Sequence, residues 1–197
     1  ELAILTLNRP EDMRMYRARF PYQHSAEIRE FTRQHGVDRA WMLGLIRAES
    51  AWNPRARSSA KAMGLMQLIE GTARIEAKAL GLPFAVGKLY EPLYNLQLGS
   101  YHLRRLYAHH QGQKLAATAA YNAGSGAVKR WVGPLLDSYP DLWVEAIPYR
   151  ETREYVPRVM AFSVIYDWRL EGQVRRLSSR IKGMPKVAEP IAAIACP

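Results

Sequence analysis

The feature that most constrains the fold is the segment that follows Asp38. Trp41, Met42, Leu43, Leu45 and Ile46 make a helix that is apolar on nearly every side, and such a helix has no polar face to offer to water. It must sit inside a shell of other elements. Asp38 is placed to cap its start, where a carboxylate accepts a bond from first-turn amides. Glu49 falls near its far end, three residues after Ile46 and four after Leu45, and so shares a face with core residues. A buried helix therefore ends in an acid.

The rest of the chain supplies a helical shell. Ile28, Phe31, Thr32 and His35 follow the helical period, with Ser25 read as an N-cap and Gly36 as a stop. Further helices are expected over 72–80, ended by Gly81 and Pro83, and along the stripe Leu96, Gly99, Leu103 and Leu106. Gly99 on that stripe allows another backbone to approach closely. Shorter helical pieces are read at 115–123, 127–131 and 141–147, and a long last helix over 152–170. Pro157 fits poorly inside that helix and predicts a kink or a late start. The best strand signal, 3–7, lies outside this region. The expected fold is all-α, several short helices around one long buried one.

Composition narrows the class. Apolar residues make up 48% of the 197, which excludes a disordered chain and allows one sizeable domain. No apolar run approaches the roughly 20 residues of a membrane helix. The single cysteine, Cys196, excludes an internal disulfide and a thiolate cluster and leaves the compartment open. A net charge of +10 predicts attraction to polyanions, among which nucleic acid, anionic lipid and peptidoglycan all qualify. Residues 1–21 read as an extension or linker end, 22–170 as the domain, and 171–197 as a basic, Pro-containing tail. The chain opens at Glu1, which suggests a processed chain or a piece of a longer one.

Glu49 is the candidate for chemistry. Apolar walls disfavour a charged carboxylate and raise its pKa, as a general acid working near neutral pH requires. The plainer alternative is a half-buried Glu paired with one of 28 Lys and Arg residues. Ser50, Gln67 and Asn122 offer neutral hydrogen-bonding groups nearby in the pattern. Gly64 and Gly124 allow close backbone approach, and Trp52, Tyr121 and Tyr155 offer flat faces for sugar rings. Common glycosidases need two carboxyl groups, and no second acid is placed beside Glu49 by sequence. Asp38 lies at the other end of the helix, whereas Glu145, Glu151 and Glu154 need the fold to bring them near. One acid suffices where the substrate carries its own nucleophile, as an N-acetyl oxygen or a C6 hydroxyl does.

Other chemistries find little footing. His109 and His110 are adjacent and point apart on a helix, and no HExxH, CxxC or phosphate-cradling loop is present. Ser50 lacks a His partner for a serine triad. The basic run Arg175, Arg176, Arg180 and Lys182 reads as a solvated tail rather than a nucleic-acid reader.

Four segments in order resemble the catalytic domain of the bacterial soluble lytic transglycosylases. These are Glu49-Ser50-Ala51-Trp52-Asn53-Pro54, Gly64-Leu65-Met66-Gln67-Leu68, Ala120-Tyr121-Asn122-Ala123-Gly124, and the run 147–156, Ile-Pro-Tyr-Arg-Glu-Thr-Arg-Glu-Tyr-Val. The resemblance covers roughly residues 22–170. It implies a lysozyme-like fold and cleavage of the β-1,4 bond between N-acetylmuramic acid and N-acetylglucosamine, with a 1,6-anhydro product. Glu49 is then the sole acid and base, and Ser50, Met66, Gln67, Tyr121, Asn122, Glu151 and Tyr155 are the expected substrate-facing residues. It implies no metal or organic cofactor, peptidoglycan strands and stem peptides as the partner rather than nucleic acid, and the periplasm of a Gram-negative bacterium. Longer members carry a helical superhelix ahead of this domain, so the chain is expected to be an excised C-terminal part. Glu70 and Leu93 depart from the family's pattern in loops away from the chemistry. Two further readings stay open: a lysozyme-type hydrolase with Glu151 as second acid, and a non-catalytic wall-binding module.

Overall fold

A computed structural model describes residues 15–182, so the strand expected at 3–7 and Cys196 lie outside the described residues. Ten α-helices follow one another in the described part: α1 (Tyr16–Arg19), α2 (Ser25–His35), α3 (Arg39–Ser50), α4 (Glu70–Ala79), α5 (Pro92–His109), α6 (Lys114–Ala123), α7 (Ser125–Val128), α8 (Pro134–Ser138), α9 (Pro140–Glu145) and α10 (Arg150–Glu171). Single 3-10 turns stand at Val86–Tyr90 and Leu177–Arg180. Among the described residues β pairing is limited to isolated bridges from Met63 to Arg57 and to Leu68. The all-α expectation holds.

Helix α3 is the axis. Its residues from Ala40 to Ile46 are all buried, and α10 packs along it more extensively than any other pair of helices does. Gly44 makes that contact possible: a Cβ there would lie 2.7 Å from both Ser163 Oγ and Val159 O. The sequence reading passed over this glycine. Asp38 caps α3 as expected, accepting from Trp41 N–H at 2.8 Å. At the N-terminus of α2 the cap position belongs to His24, in the left-handed region, and Ser25 is the first helical residue. Gly36 ends α2 with φ 63°, as read.

Helix α10 runs unbroken through Pro157. Val156, Val159 and Met160 are buried against α3 while Pro157 faces solvent. Packing on one side thus outweighs the hydrogen bond that proline lacks on the other. The basic segment after α10 also departs from a freely solvated tail. Arg180 is 9% exposed and its guanidinium reaches Asp167 on α10 and Asp38 at the start of α3. Lys114, at the start of α6, reaches the same Asp38 at 2.8 Å. Three helices are thus tied at one end by a four-residue charge network, and their other ends converge on the cleft.

Candidate active site

A cleft of about 740 Å³ opens where the end of α3, the 58–69 loop, the end of α6 and the start of α10 meet. Glu49 lies on its wall, with Gln67, Tyr121, Asn122, Glu151 and Tyr155. Burial pushes the Glu49 carboxyl up from 4.5 to about 7; a hydrogen bond from Tyr155 opposes this, and the charge of Glu151 adds to it. Tyr155, 6% exposed, donates its hydroxyl to Glu49 Oε1. Burial and the Glu49 charge hold the phenols of Tyr155 and Tyr121 well above their ordinary range. They stay neutral donors. The arrangement holds a proton on one carboxyl near neutral pH beside a fixed hydrogen-bond donor, which is the state a general acid needs.

The acid is presented by an abrupt helix end. Ala51 and Trp52 both take positive φ, 48° and 66°, a conformation non-glycine residues adopt only when their surroundings enforce it. The Trp52 indole supplies the enforcement, donating to Tyr166 Oη at 2.8 Å from a site 3% exposed. Trp52 is therefore core, not a sugar platform. Ser50 is also turned inward: its hydroxyl donates to Ile46 O at 3.2 Å and accepts from Trp52 N–H at 3.1 Å. It shapes the turn after Glu49.

The second segment forms a tight loop pinned from beneath by Asn95. This fully buried amide accepts from Met66 N–H at 2.7 Å and donates to Met63 O and Leu89 O, each at 2.9 Å. A Cβ on Gly64 would lie 2.1 Å from Leu89 O and 2.3 Å from Asn95 Nδ2, so this glycine makes room for Asn95 rather than for a ligand. The Met66 side chain is fully buried and packs on Gly99, where a Cβ would come within 2.3 Å of its sulfur. Met66 thus stays out of the cleft as a side chain, while its carbonyl accepts from Tyr121 Oη at 2.7 Å. Gln67, at φ 46°, donates to Gly64 O at 2.8 Å and Ala56 O at 3.1 Å; the loop itself holds its amide.

Asn122 links α6 to α10. It accepts from Thr152 Oγ1 at 2.6 Å and donates to Glu151 Oε1 at 3.0 Å. Glu151 is exposed and acts on Glu49 through its charge. Gly124, at φ 81°, has open space where a Cβ would stand and lines the cleft as expected. Sequence reasoning missed Asn95, and it missed His102, which lines the cleft with the buried Glu76 behind it. Asn95 had left a signal, a polar residue four positions before Gly99 on an otherwise apolar stripe. Among the described residues no cluster of three His, Cys, Asp or Glu side chains is arranged for a metal.

Comparison with known proteins matches these features. Residues 27–134 match the family model described as Transglycosylase SLT domain, and residues 146–174 match one described as Soluble lytic transglycosylase helical domain. The soluble lytic murein transglycosylase of Salmonella typhimurium is 36% identical over 151 residues, covering 75% of this chain and 23% of the relative. That of Escherichia coli K12 is 34% identical over 153 residues, 76% of this chain and 24% of the relative. The chain spans about a quarter of the length of the curated relatives it matches. Among solved structures, an inactive mutant of the lytic transglycosylase Slt from Pseudomonas aeruginosa aligns over 88% of this chain and 27% of its own, with TM-score 0.75 and 32% identity. The 70-kDa soluble lytic transglycosylase in complex with bulgecin A aligns with TM-score 0.76 and 30% identity, over 88% of this chain and 27% of that one. The lysozyme-like all-α fold and the matched sequence together make this chain a member of the transglycosylase SLT domain family.

Proposed function

We propose that this chain is the catalytic unit, centred on residues 22–170, of a peptidoglycan lytic transglycosylase. The observation that carries this reading is Glu49, a carboxyl with a pKa of about 7 in a sugar-sized cleft, hydrogen-bonded by Tyr155. Glu49 gives its proton to the oxygen leaving the muramyl C1, and the N-acetyl oxygen of the same unit stabilises the positive centre. Glu49, now a carboxylate, takes the proton of the C6 hydroxyl as O6 bonds to C1. One C–O bond breaks, one forms, and no water enters. Tyr155 steadies the carboxylate between the two transfers, while Gln67 and Asn122 shape the wall on either side. Glu151, exposed and held by the Asn122 amide, orients that wall and keeps the Glu49 proton in place through its charge. The basic charge favours the anionic wall polymer, and a peptidoglycan substrate is compatible with the periplasm of a Gram-negative cell as the place of action.

Digestion of purified sacculi with the wild-type chain and Glu49→Gln, followed by mass spectrometry of released muropeptides, tests the proposal. Products lighter by one water than reducing muropeptides, and their loss in the variant by about 10²-fold or more, are expected. Ordinary reducing ends would instead mean hydrolysis, with Glu151 as the second acid. No release from the wild-type chain would leave a binding module.

A further inference from the structure

Of the five histidines, His35 and His110 are shut in, each with a buried Nε2 that has no partner. His102 is different. It lines the cleft, with its side chain 19% exposed, and its Nδ1 lies 2.8 Å from Glu76 Oε1. Glu76 is 2% exposed, and Arg105 Nη1 donates to both of its oxygens, at 3.0 and 2.9 Å. Arg105 and His102 thus approach the same buried carboxylate from two sides. The bond from His102 to Glu76 fixes the ring.

A carboxylate only accepts, so Nδ1 carries the proton of that bond, and the tautomer this selects leaves Nε2 as the acceptor. Nδ1 faces the buried carboxylate; the ring lines the cleft, and its Nε2, unlike those of His35 and His110, is not among the buried atoms left without a partner. The ring also meets Tyr121 edge-on, with centroids 5.3 Å apart and planes at 61°. Tyr121 is itself fixed by its bond to Met66 O. Two rings held from behind thus form a rigid corner with an apolar face and one hydrogen-bond acceptor. A pyranose, with its C–H face and its hydroxyl and amide donors, complements such a corner.

We propose that His102 is a glycan-binding residue, accepting through Nε2 a hydrogen bond from a hydroxyl or amide N–H of a sugar unit that lies against Tyr121. Glu76 and Arg105 are its positioning residues. This inference rests on the reading of the chain as a glycan-cleaving unit and adds a contact within that cleft.

The test measures binding of N-acetylchitotetraose to the full chain carrying Glu49→Gln, at about pH 8. Adding His102→Phe keeps a ring against Tyr121 but removes the acceptor, and should weaken binding about 3- to 10-fold. His102→Gln, whose amide oxygen can accept, should recover part of the loss. In the His102-containing protein the ¹⁵N resonance of Nε2 should move on titration, a change that a merely structural role would not produce. Equal affinity for the Phe variant, a stationary Nε2 resonance, or no binding of the probe overturns the proposal. If the Phe variant does not fold, the resonance decides alone. A chain that binds the probe through His102 but releases nothing from sacculi would refute the catalytic reading and leave this one intact; cleavage with a stationary Nε2 would do the reverse.

Discussion

Replacing Glu49 with Gln should make the protein more stable, by an amount that grows above about pH 4.5 and levels off above about pH 7. The carboxyl has a pKa of about 7 in the fold against 4.5 ordinarily, and burial is the main cause. For an acid whose folded pKa is raised, the protonated form suits the fold. Its full contribution is present below about pH 4.5 and is lost as the pH rises through about 7. The interval from 4.5 to about 7, at about 1.4 kcal/mol per pH unit, comes to roughly 3 kcal/mol. Gln has the same shape, cannot ionise, and keeps an oxygen to accept the Tyr155 hydroxyl. Glu49→Gln should therefore gain roughly 3 kcal/mol at about pH 8 and almost nothing at about pH 4. That is a large part of the roughly 5–15 kcal/mol that holds a domain together. Urea unfolding of both proteins at the two pH values, with unchanged m-values, measures it. An equal gain at both values would trace the effect to packing rather than charge. No gain at the higher value would mean that the carboxyl is not held protonated, and the general-acid argument would fall with it.

Tyr155→Phe removes the bond that opposes the rise in the Glu49 pKa. A bond to a charged group is worth about 1.5–3 kcal/mol, so the alkaline limb of the kcat/KM profile should move up by roughly 1–2 pH units; a fixed or lowered limb refutes it. Glu151→Gln removes a charge that raises the same pKa, and should move that limb down while costing less activity than Glu49→Gln in the muropeptide assay. Asp38, held at about 2 by Lys114 and Arg180 against the opposing effect of burial, contributes stability that is present above about pH 3.8 and lost as the pH falls toward 2. Asp38→Asn should thus cost roughly 2 kcal/mol at neutral pH and little near pH 2, and a cost that persists in acid would exclude charge as its origin. Gly99→Ala places a Cβ 2.3 Å from the Met66 sulfur; overpacking of this kind costs about 1–3 kcal/mol, visible as a lower melting temperature, and an unchanged one would mean that the loop yields freely.

Local chemistry made the skeleton legible. A helix with no polar face can only be a core helix, so α3 and its dominance followed from Trp41 to Ile46, and Asp38 was readable as its cap because the capping bond spans three residues. Glu49 was legible for the same reason: helical period alone puts it on the core face, and burial alone raises its pKa. What the residue pattern could not supply was direction. Trp52 and Met66 belong to the same segments as Glu49 and Gln67, yet their side chains turn inward, because Tyr166 and Gly99 wait there from distant parts of the chain, while Ser50 turns back onto the Ile46 carbonyl one helical turn before it. Pro157 was misjudged because propensity is a local quantity, while the α3–α10 contact that overrides it depends on Gly44, more than a hundred positions earlier. Arg180 looked like tail charge until two carboxylates, from α10 and from the cap of α3, enclosed it. The sequence by itself determined a helical domain built on one buried helix that ends in an acid, since periodicity and burial act between neighbours along the chain. Only the tertiary structure decided which neutral groups face that acid, that Glu151 lies within reach of its charge, and that His102, held by Glu76, stands in the cleft wall, since these pairings cross long stretches of sequence and exist only once the helices pack.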